Sequence, residues 1–212
     1  MTSALDPIEA AARAALDGSL IVLPTDTVYG IGARPDDPSA TALLFEAKGR
    51  PRELELPVLV ASTGAARRVA TFDERAEALA LRFWAGPLTI VLPRTEVARV
   101  WDLGGDPTTI GIRIPHEPLA LAVLARTGPL AVTSANRSGA PTPTTCDGVE
   151  ATFADAVEVY LCAREPLTAS ASTVVDLAHG EPSVLREGAV SERAIAEALR
   201  DLGPPGSSQG PV

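Results

Sequence analysis

The stretch Thr108–Asn136, TTIGIRIPHEPLALAVLARTGPLAVTSAN, carries the pattern that decides the fold. TTIGIRIP predicts a strand, and EPLALAVLART, which follows it, predicts a helix. GPLAVTSAN is a second short apolar run that ends in polar residues, and it predicts another strand. A strand, a helix and a strand in immediate succession indicate an α/β fold.

The same alternation continues toward the N-terminus. Asp-Pro pairs at positions 6–7 and 37–38 predict the starts of two helices, and Gly18 predicts the end of the first. Ser62 and Asp73 predict the caps of two further helices. The strands predicted between these helices are SLIVLPT, LPVLVAS and GPLTIVLPR.

Toward the C-terminus, three short β-rich runs follow one another without long helices between them. They are VEVYLC, STVVDL and PSVLREG, and a helix from about Ser191 to Leu202 comes after them. Strands connected in this way pair partly antiparallel, so we expect a mixed sheet. We predict one α/β domain over residues 1–202 and a disordered tail over residues 203–212, because GPPGSSQGPV has the composition of turns and linkers.

Composition and charge restrict the function. The formal net charge of −9 argues against a protein that coats nucleic acid electrostatically. No apolar run reaches the length of a membrane span, and residues 1–19 lack the pattern of a signal peptide, so we expect no membrane association and a cytoplasmic location. Cys146 and Cys162 show no metal-ligand spacing with His116 and His179, and we expect free buried thiols and no metal held by these residues.

Polar residues follow several predicted strands, where α/β proteins bind ligands. Gly30 and Gly32 come directly after one such group and allow the backbone to approach a ligand closely. Threonine and serine at these places also cap turns, Asp26 alternatively forms an Asx-turn, and Arg113 alternatively pairs with a structural carboxylate. The residues concerned are Thr25, Asp26, Thr27, Tyr29, Thr109, Arg113, Ser134, Asn136, Ser170, Ser172 and Thr173.

A single lysine, Lys48, stands in a chain that otherwise uses arginine as its cation. An ammonium is a compact point charge and a guanidinium is a bidentate fork, so Lys48 and Arg50 together predict an anion site that uses both. For the neighbouring Arg52 we favour a solvated face shared with Glu53 and Glu55.

Several familiar sites are excluded. The lysine follows no glycine-rich phosphate loop, Pro35 stands where a dinucleotide fingerprint has its third glycine, and no G-x-S-x-G elbow surrounds Ser134. The remaining inventory of Lys, Arg, Ser, Thr and Asn suits the binding of polyanions and small zwitterions.

Six motifs together resemble a known family. LPTDTVYGIG, KGRP, GIRIP, TSANRSGAPTPTT, STVVDL and VLREG occur in the order found in YrdC-like threonylcarbamoyl-adenylate synthases, and the resemblance spans about Leu20 to Gly188. It implies a twisted mixed sheet with a large concave cavity. It also implies a nucleotidyltransferase that converts L-threonine, bicarbonate and ATP, with Mg²⁺, to threonylcarbamoyl-AMP and pyrophosphate. The product would pass to a downstream transferase that modifies tRNA.

The resemblance also implies roles for individual residues. Lys48 and Arg50 would be catalytic. The residues implied for L-threonine are Thr27, Arg113, Ser134 and Ser172, and those implied for ATP are Lys48, Arg50, Thr109, Asn136, Thr144 and Arg186. Leu54 departs from the family, whose members usually carry Lys or Asn there, and the extra C-terminal domain of longer members is not expected.

Two other interpretations stay open at this stage. The first is a module that binds double-stranded RNA or tRNA, which the acidic balance disfavours and which a steep salt dependence of RNA binding would favour. The second is a paralogue with the same fold and nucleotide pocket but another acceptor, for which Leu54 is the only indication.

Overall fold

A computed structural model describes residues 6–200 and 202 of the chain as a mixed α/β fold. The described helices are α1 (Pro7–Leu16), α2 (Pro38–Lys48), α3 (Thr63–Val69), α4 (Glu74–Phe83), α5 (Pro118–Thr127), α6 (Cys146–Phe153) and α7 (Glu192–Arg200). The described strands are β1 (Ile21–Leu23), β2 (Gly30–Ala33), β3 (Val58–Leu59), β4 (Leu88–Pro93), β5 (Thr109–Arg113), β6 (Leu130–Ser134), β7 (Val159–Tyr160), β8 (Thr173–Asp176) and β9 (Ser183–Arg186).

The strands form one twisted mixed sheet in the order β7-β1-β2-β6-β3-β5-β4-β8-β9. The pairs β1–β7, β3–β5 and β4–β8 are parallel, whereas β8–β9 and the remaining neighbours are antiparallel. The predicted α/β class and the predicted mixed sheet are therefore confirmed.

Side-chain caps begin the helices where the sequence places them. Asp37 accepts hydrogen bonds from the backbone amides at the start of α2, and Ser62 and Asp73 do the same for α3 and α4. Gly49 ends α2 in the left-handed conformation at φ 59°, which glycine adopts without strain. Lys48 and Arg50 consequently stand on either side of a sharp helix exit.

Strand β2 was not predicted, because its sequence was assigned to a ligand-binding loop. Gly30 and Gly32 pair with β1 on one side and with β6 on the other. A Cβ atom built on Gly30 would lie 2.5 Å from Cγ1 of Val132, and one on Gly32 would lie 2.9 Å from Cγ2 of the same side chain. Both glycines therefore make room for the Val132 side chain, and Gly30 also lines the cavity described below.

The helices cover both faces of the sheet. α1 and α5 pack over β1 and β6 through a cluster that includes Ala11, Val123 and Val132. The larger cluster, on the opposite face, joins the sheet to α2, α3, α4, α6 and α7. Because α1 and α5 cover only part of their face, the sheet beyond β6 is left open on that side, and this is where the cavity lies.

The two cysteines form a disulfide between the start of α6 and the residues that follow β7. The Cα atoms of Cys146 and Cys162 are 5.4 Å apart, and Cys162 is exposed. The prediction of free buried thiols is therefore wrong. A separation of 16 residues gives no indication of pairing, since the fold alone brings these two segments together.

None of the described helices is both long and apolar enough to cross a membrane. The predicted tail, residues 203–212, lies outside the described residues, and the domain boundary at residue 202 stays a prediction.

Candidate active site

A cavity of about 450 Å³ opens on the sheet face that α1 and α5 leave uncovered. Its floor comes from six strands, β2, β6, β3, β5, β4 and β8, and its rim comes from β9 and the loops before β2 and β3. This volume is within the range of small-molecule sites, about 300–1,000 Å³. Six of the ten residues that the resemblance implies for substrates line it, namely Thr27, Arg50, Arg113, Ser134, Ser172 and Arg186, and the candidates Thr25 and Tyr29 line it as well.

The other four predicted residues lie around this cavity without lining it. Lys48 and Asn136 are behind the end of β6, and Thr109 is at the start of β5, near the Glu55 end of the cavity. Thr144 is exposed in the turn before α6, where its carbonyl accepts a hydrogen bond from the Leu167 amide.

Arg113 is buried and its guanidinium is held at three points. Nη2 forms an ion pair with Asp26 at 2.6 Å, Nη1 donates to Thr27 Oγ1 at 2.9 Å, and Nε donates to the Gly86 carbonyl at 3.0 Å. Both interpretations of Arg113 therefore hold, since it pairs with a carboxylate and also lines the cavity. The Asx-turn suggested for Asp26 is replaced by this ion pair and by a hydrogen bond from the His116 amide.

Burial lowers the pKa of Arg113, and the positive charge of Arg186 lowers it further, against the raising effect of Asp26. Burial and the charge of Arg186 likewise lower the pKa of Arg50. Since each cation is close enough to perturb another, the three guanidiniums form one positively charged wall. Such a wall favours a bound polyanion.

Arg50 and Arg186 are oriented by hydrogen bonds to backbone carbonyls. Arg50 donates to the carbonyls of Leu54 at 3.0 Å and Glu55 at 2.8 Å, which shapes the loop after α2. Arg186 donates to the carbonyl of Ser172 and, at 3.1 Å, to its Oγ atom. Neither of these contacts neutralises the guanidinium charge, which stays available to an anion.

Lys48 is 2% exposed and its ammonium joins α2 to the residues that follow β6. Nζ donates to the carbonyls of Ser134 and Asn136, the latter at 2.6 Å. Burial, followed by the charge of Arg50, lowers the pKa of Lys48 to about 8. The chain turns after β6, where the Asn136 amide donates to the Ser134 carbonyl at 2.9 Å. The side-chain amide oxygen of Asn136 accepts from Thr142, a residue of the cavity wall.

Glu55 is a cavity residue that sequence reasoning assigned to a solvated face. Its side chain is 19% exposed and pairs with the buried guanidinium of Arg94 at 3.1 Å. Burial raises the pKa of Glu55 to about 7, with Asp106 and Asp176 adding to the rise and Arg94 opposing it. The assignment to a solvated face is therefore wrong for Glu55, although Arg52 does form an exposed ion pair, with Asp102.

Arg94 was also missed. It follows β4 directly and its side chain is 1% exposed. Nε donates to the Thr109 carbonyl and Nη1 donates to those of Ala98 and Trp101. The sequence around Arg94 carries no signal of this role, because its partners are carbonyls from loops that only the fold assembles.

The residues that the structure describes contain no group of three or more side chains suited to hold a metal ion. Among the residues described, Glu55 is the single carboxylate in the cavity lining. The described residues thus form no dedicated cage for Mg²⁺, an ion that proteins usually bind through one or two carboxylates together with substrate phosphates.

Comparison with known proteins places this geometry in a family. The sequence model named Sua5/YciO/YrdC, described as "Telomere recombination", matches residues 13–188. The chain belongs to this family. A Mycobacterium tuberculosis member named "Putative threonylcarbamoyl-AMP synthase" is 43% identical over 183 residues, which cover 86% of this chain and 84% of that protein. The Pyrococcus abyssi threonylcarbamoyl-AMP synthase is 39% identical over 88% of this chain and 55% of its own length.

A solved structure of the Sua5/YciO/YrdC family has the same fold. Pyrococcus abyssi Sua5, in a crystal structure of its complex with L-threonine, is similar with a TM-score of 0.85 and 37% identity. The match covers 93% of this chain and 59% of that one, so this chain spans little more than half of the archaeal protein.

Proposed function

We propose that this chain is an L-threonylcarbamoyladenylate synthase, a nucleotidyltransferase that converts L-threonine, bicarbonate and ATP to threonylcarbamoyl-AMP and pyrophosphate. The observation that carries the proposal is the wall of three arginines in a cavity also lined by serine and threonine hydroxyls. Relatives 34–43% identical are named for this activity, and one family structure contains L-threonine.

L-threonine is proposed to bind at the Arg113 end of the cavity. Asp26 and Thr27 fix the guanidinium of Arg113, so it presents a rigid cation to the substrate carboxylate. The hydroxyls of Thr27, Ser134 and Ser172 are the proposed partners of the substrate's ammonium and hydroxyl groups.

ATP is proposed to bind along Arg50 and Arg186, with Mg²⁺ arriving as part of the nucleotide substrate. Lys48, Thr109, Asn136 and Thr144, which surround the cavity, complete the proposed nucleotide set. Lys48 holds the Ser134 and Asn136 carbonyls in place, which supports a role in positioning the residues after β6.

The proposed reaction has two bond-forming steps. The threonine ammonium and bicarbonate give a carbamate, water and one proton. A carbamate oxygen then forms a bond to the α-phosphorus of ATP, and the bond between that phosphorus and the bridging oxygen breaks as pyrophosphate leaves. Arg50 and Arg186 neutralise the charge that develops on the phosphate oxygens, so catalysis consists of positioning and electrostatic stabilisation.

The product is an acid anhydride of a carbamate and a phosphate. We propose that it passes to a separate transferase that modifies tRNA, in the cytoplasm, and that tRNA itself makes at most weak contact with this chain. The net charge of −9 supports this division of tasks.

The test is pyrophosphate release by the purified chain with ATP, Mg²⁺ and bicarbonate. We expect release that depends on L-threonine and exceeds the rate with L-serine, which lacks the methyl group. Equal rates of release with both amino acids, or no release with either, would favour a paralogue with another acceptor. Binding of RNA that weakens steeply with salt, without pyrophosphate release, would favour the RNA-binding alternative.

A further inference from the structure

Glu55 adds an acidic side chain to a cavity in which the other charged lining residues that the structure describes are arginines. It is the single carboxylate among the lining residues that the structure describes, and the proposed roles of the substrate-binding residues leave it unused. A triphosphate is repelled by a carboxylate, so the phosphates of a bound nucleotide belong near Arg50 and Arg186. The part of the nucleotide that meets Glu55 must instead offer hydrogen-bond donors.

The position of Glu55 is fixed by a rigid support. One carboxylate oxygen, Oε1, accepts from Arg94 at 3.1 Å. Arg94 is itself held by the carbonyls of Thr109, Ala98 and Trp101. A carboxylate accepts about four hydrogen bonds, so this ion pair leaves Glu55 with acceptor capacity for a ligand.

Apolar side chains line the same cavity as this carboxylate. Leu54 is 48% exposed and Leu185 is 59% exposed, which is unusual for two leucines that border a cavity. Val91 and Val174 add apolar surface to its floor. Leucine and valine side chains next to one acceptor suit a flat heteroaromatic ring with an amino group at its edge.

The loop that carries Glu55 also contacts Arg50, a proposed phosphate ligand. Arg50 donates to the carbonyls of both Leu54 and Glu55, so the proposed phosphate contact and the apolar surface belong to one loop. A nucleotide whose phosphates contact Arg50 would place its base within reach of the same loop.

We propose that Glu55 reads the nucleobase by accepting a hydrogen bond from the 6-amino group of adenine, with Leu54 and Leu185 contacting the ring. This inference rests on the proposed ATP-dependent function and adds a residue that determines nucleotide specificity. A 6-oxopurine presents an oxygen acceptor at the same place and leaves the carboxylate unpaired, which disfavours its binding. Leu54, the residue that departs from the family pattern, then contributes apolar contact instead of a polar one.

The alternative role for Glu55 is to compensate the buried charge of Arg94 and nothing else. The two roles differ in one measurable quantity, the ratio of affinities for ATP and inosine triphosphate, which carries oxygen in place of the 6-amino group. A purely structural role leaves this ratio unchanged, because loss of the ion pair weakens both nucleotides alike.

The experiment is calorimetric titration of the full chain with each nucleotide at pH 8, where Glu55 is mostly ionised, in wild type, Glu55→Gln and the control Glu53→Gln, whose side chain is exposed. We expect wild type to prefer ATP by about tenfold or more. In Glu55→Gln the preference should shrink by about tenfold, because the glutamine amide donates to the 6-oxo group. Glu53→Gln should keep the wild-type ratio.

An unchanged ratio in Glu55→Gln would overturn the inference while leaving the synthase proposal intact. Failure of wild type to bind either nucleotide would overturn both. If the variant does not fold, the affinity of wild type for purine riboside triphosphate, which lacks the 6-amino group, provides the test. This nucleotide should bind about tenfold more weakly than ATP, and equal affinity would also overturn the inference.

Discussion

Arg113 performs two tasks with one guanidinium, because it closes an ion pair with Asp26 and presents a charged face to the cavity. We predict that Arg113→Lys weakens L-threonine binding at least about tenfold, because an ammonium cannot replace three oriented contacts and a bidentate fork. Calorimetry measures the affinity, with ATP affinity as the internal control. Threonine binding as tight as in wild type would remove Arg113 from the substrate site.

Lys48 differs from the arginines because its ammonium contacts two carbonyls at the end of β6 in a buried place. We predict that Lys48→Ala abolishes adenylate formation and that Lys48→Arg is impaired, since the larger guanidinium would displace those carbonyls. Steady-state rates of pyrophosphate release measure both variants, with the exposed Arg67→Lys exchange as the control. Full activity in Lys48→Arg would contradict the positional argument.

The raised pKa of Glu55 leads us to predict that the free energy of unfolding depends on pH. Its pKa is raised in the folded state from 4.5 to about 7, so the folded chain binds the proton more tightly than the unfolded chain. The associated stability is fully present below about pH 4.5 and is lost as the pH rises through 7. We predict that the free energy of unfolding of wild type, relative to Glu55→Gln, falls between pH 5 and pH 8, by at most about 3 kcal/mol.

Urea unfolding of both proteins at a series of pH values measures this difference. A difference that does not change with pH would show that Arg94 holds Glu55 ionised throughout.

At the residue scale, sequence reasoning located the cations but not their partners. Arg113 was identified because it is a charged residue of a predicted strand and belongs to the GIRIP motif. Glu55 and Arg94 were missed because each is buried only through contact with a segment far away in the chain. Short-range sequence patterns do not predict contacts between segments that are distant in the chain.

At the scale of elements, the disulfide connects two segments that border the cavity. Residues 136–145, which include Thr142, precede Cys146, and residues 163–172, which include Ser172, follow Cys162. We predict that Cys146→Ser with Cys162→Ser lowers the free energy of unfolding by about 3 kcal/mol, because a closed loop of this length restricts the unfolded chain.

Chemical unfolding of wild type with and without a reducing agent provides the comparison. The double variant should match reduced wild type and should not respond to the reductant. Identical stability of oxidised and reduced wild type would contradict the prediction.

The starts of helices could be predicted because an N-cap residue is a local signal. Asp37, Ser62 and Asp73 are the N-caps of α2, α3 and α4. Strand β2 could not, because glycine has low strand propensity and Gly30 and Gly32 are required only by the close approach of Val132. Helix α6 was missed as well, being short and preceded by a proline-rich turn.

At the scale of the whole molecule, a chain of net charge −9 gathers three guanidiniums in one cavity. Family membership and fold class were accessible from the sequence because the motifs are local and ordered along the chain. The arrangement of the cavity was not, since its lining comes from strands that are distant in sequence and adjacent only in the sheet.

The most direct test follows the carbon of bicarbonate into the product. Purified chain is incubated with ¹⁴C-bicarbonate, ATP and Mg²⁺, with L-threonine or L-serine, and the nucleotides are separated at once. We predict a labelled adenylate that forms with L-threonine, carries the label in its carbamoyl group and forms in smaller amount in Arg113→Lys at the same threonine concentration. Absence of labelled adenylate from protein that binds both ATP and L-threonine would contradict the proposed reaction.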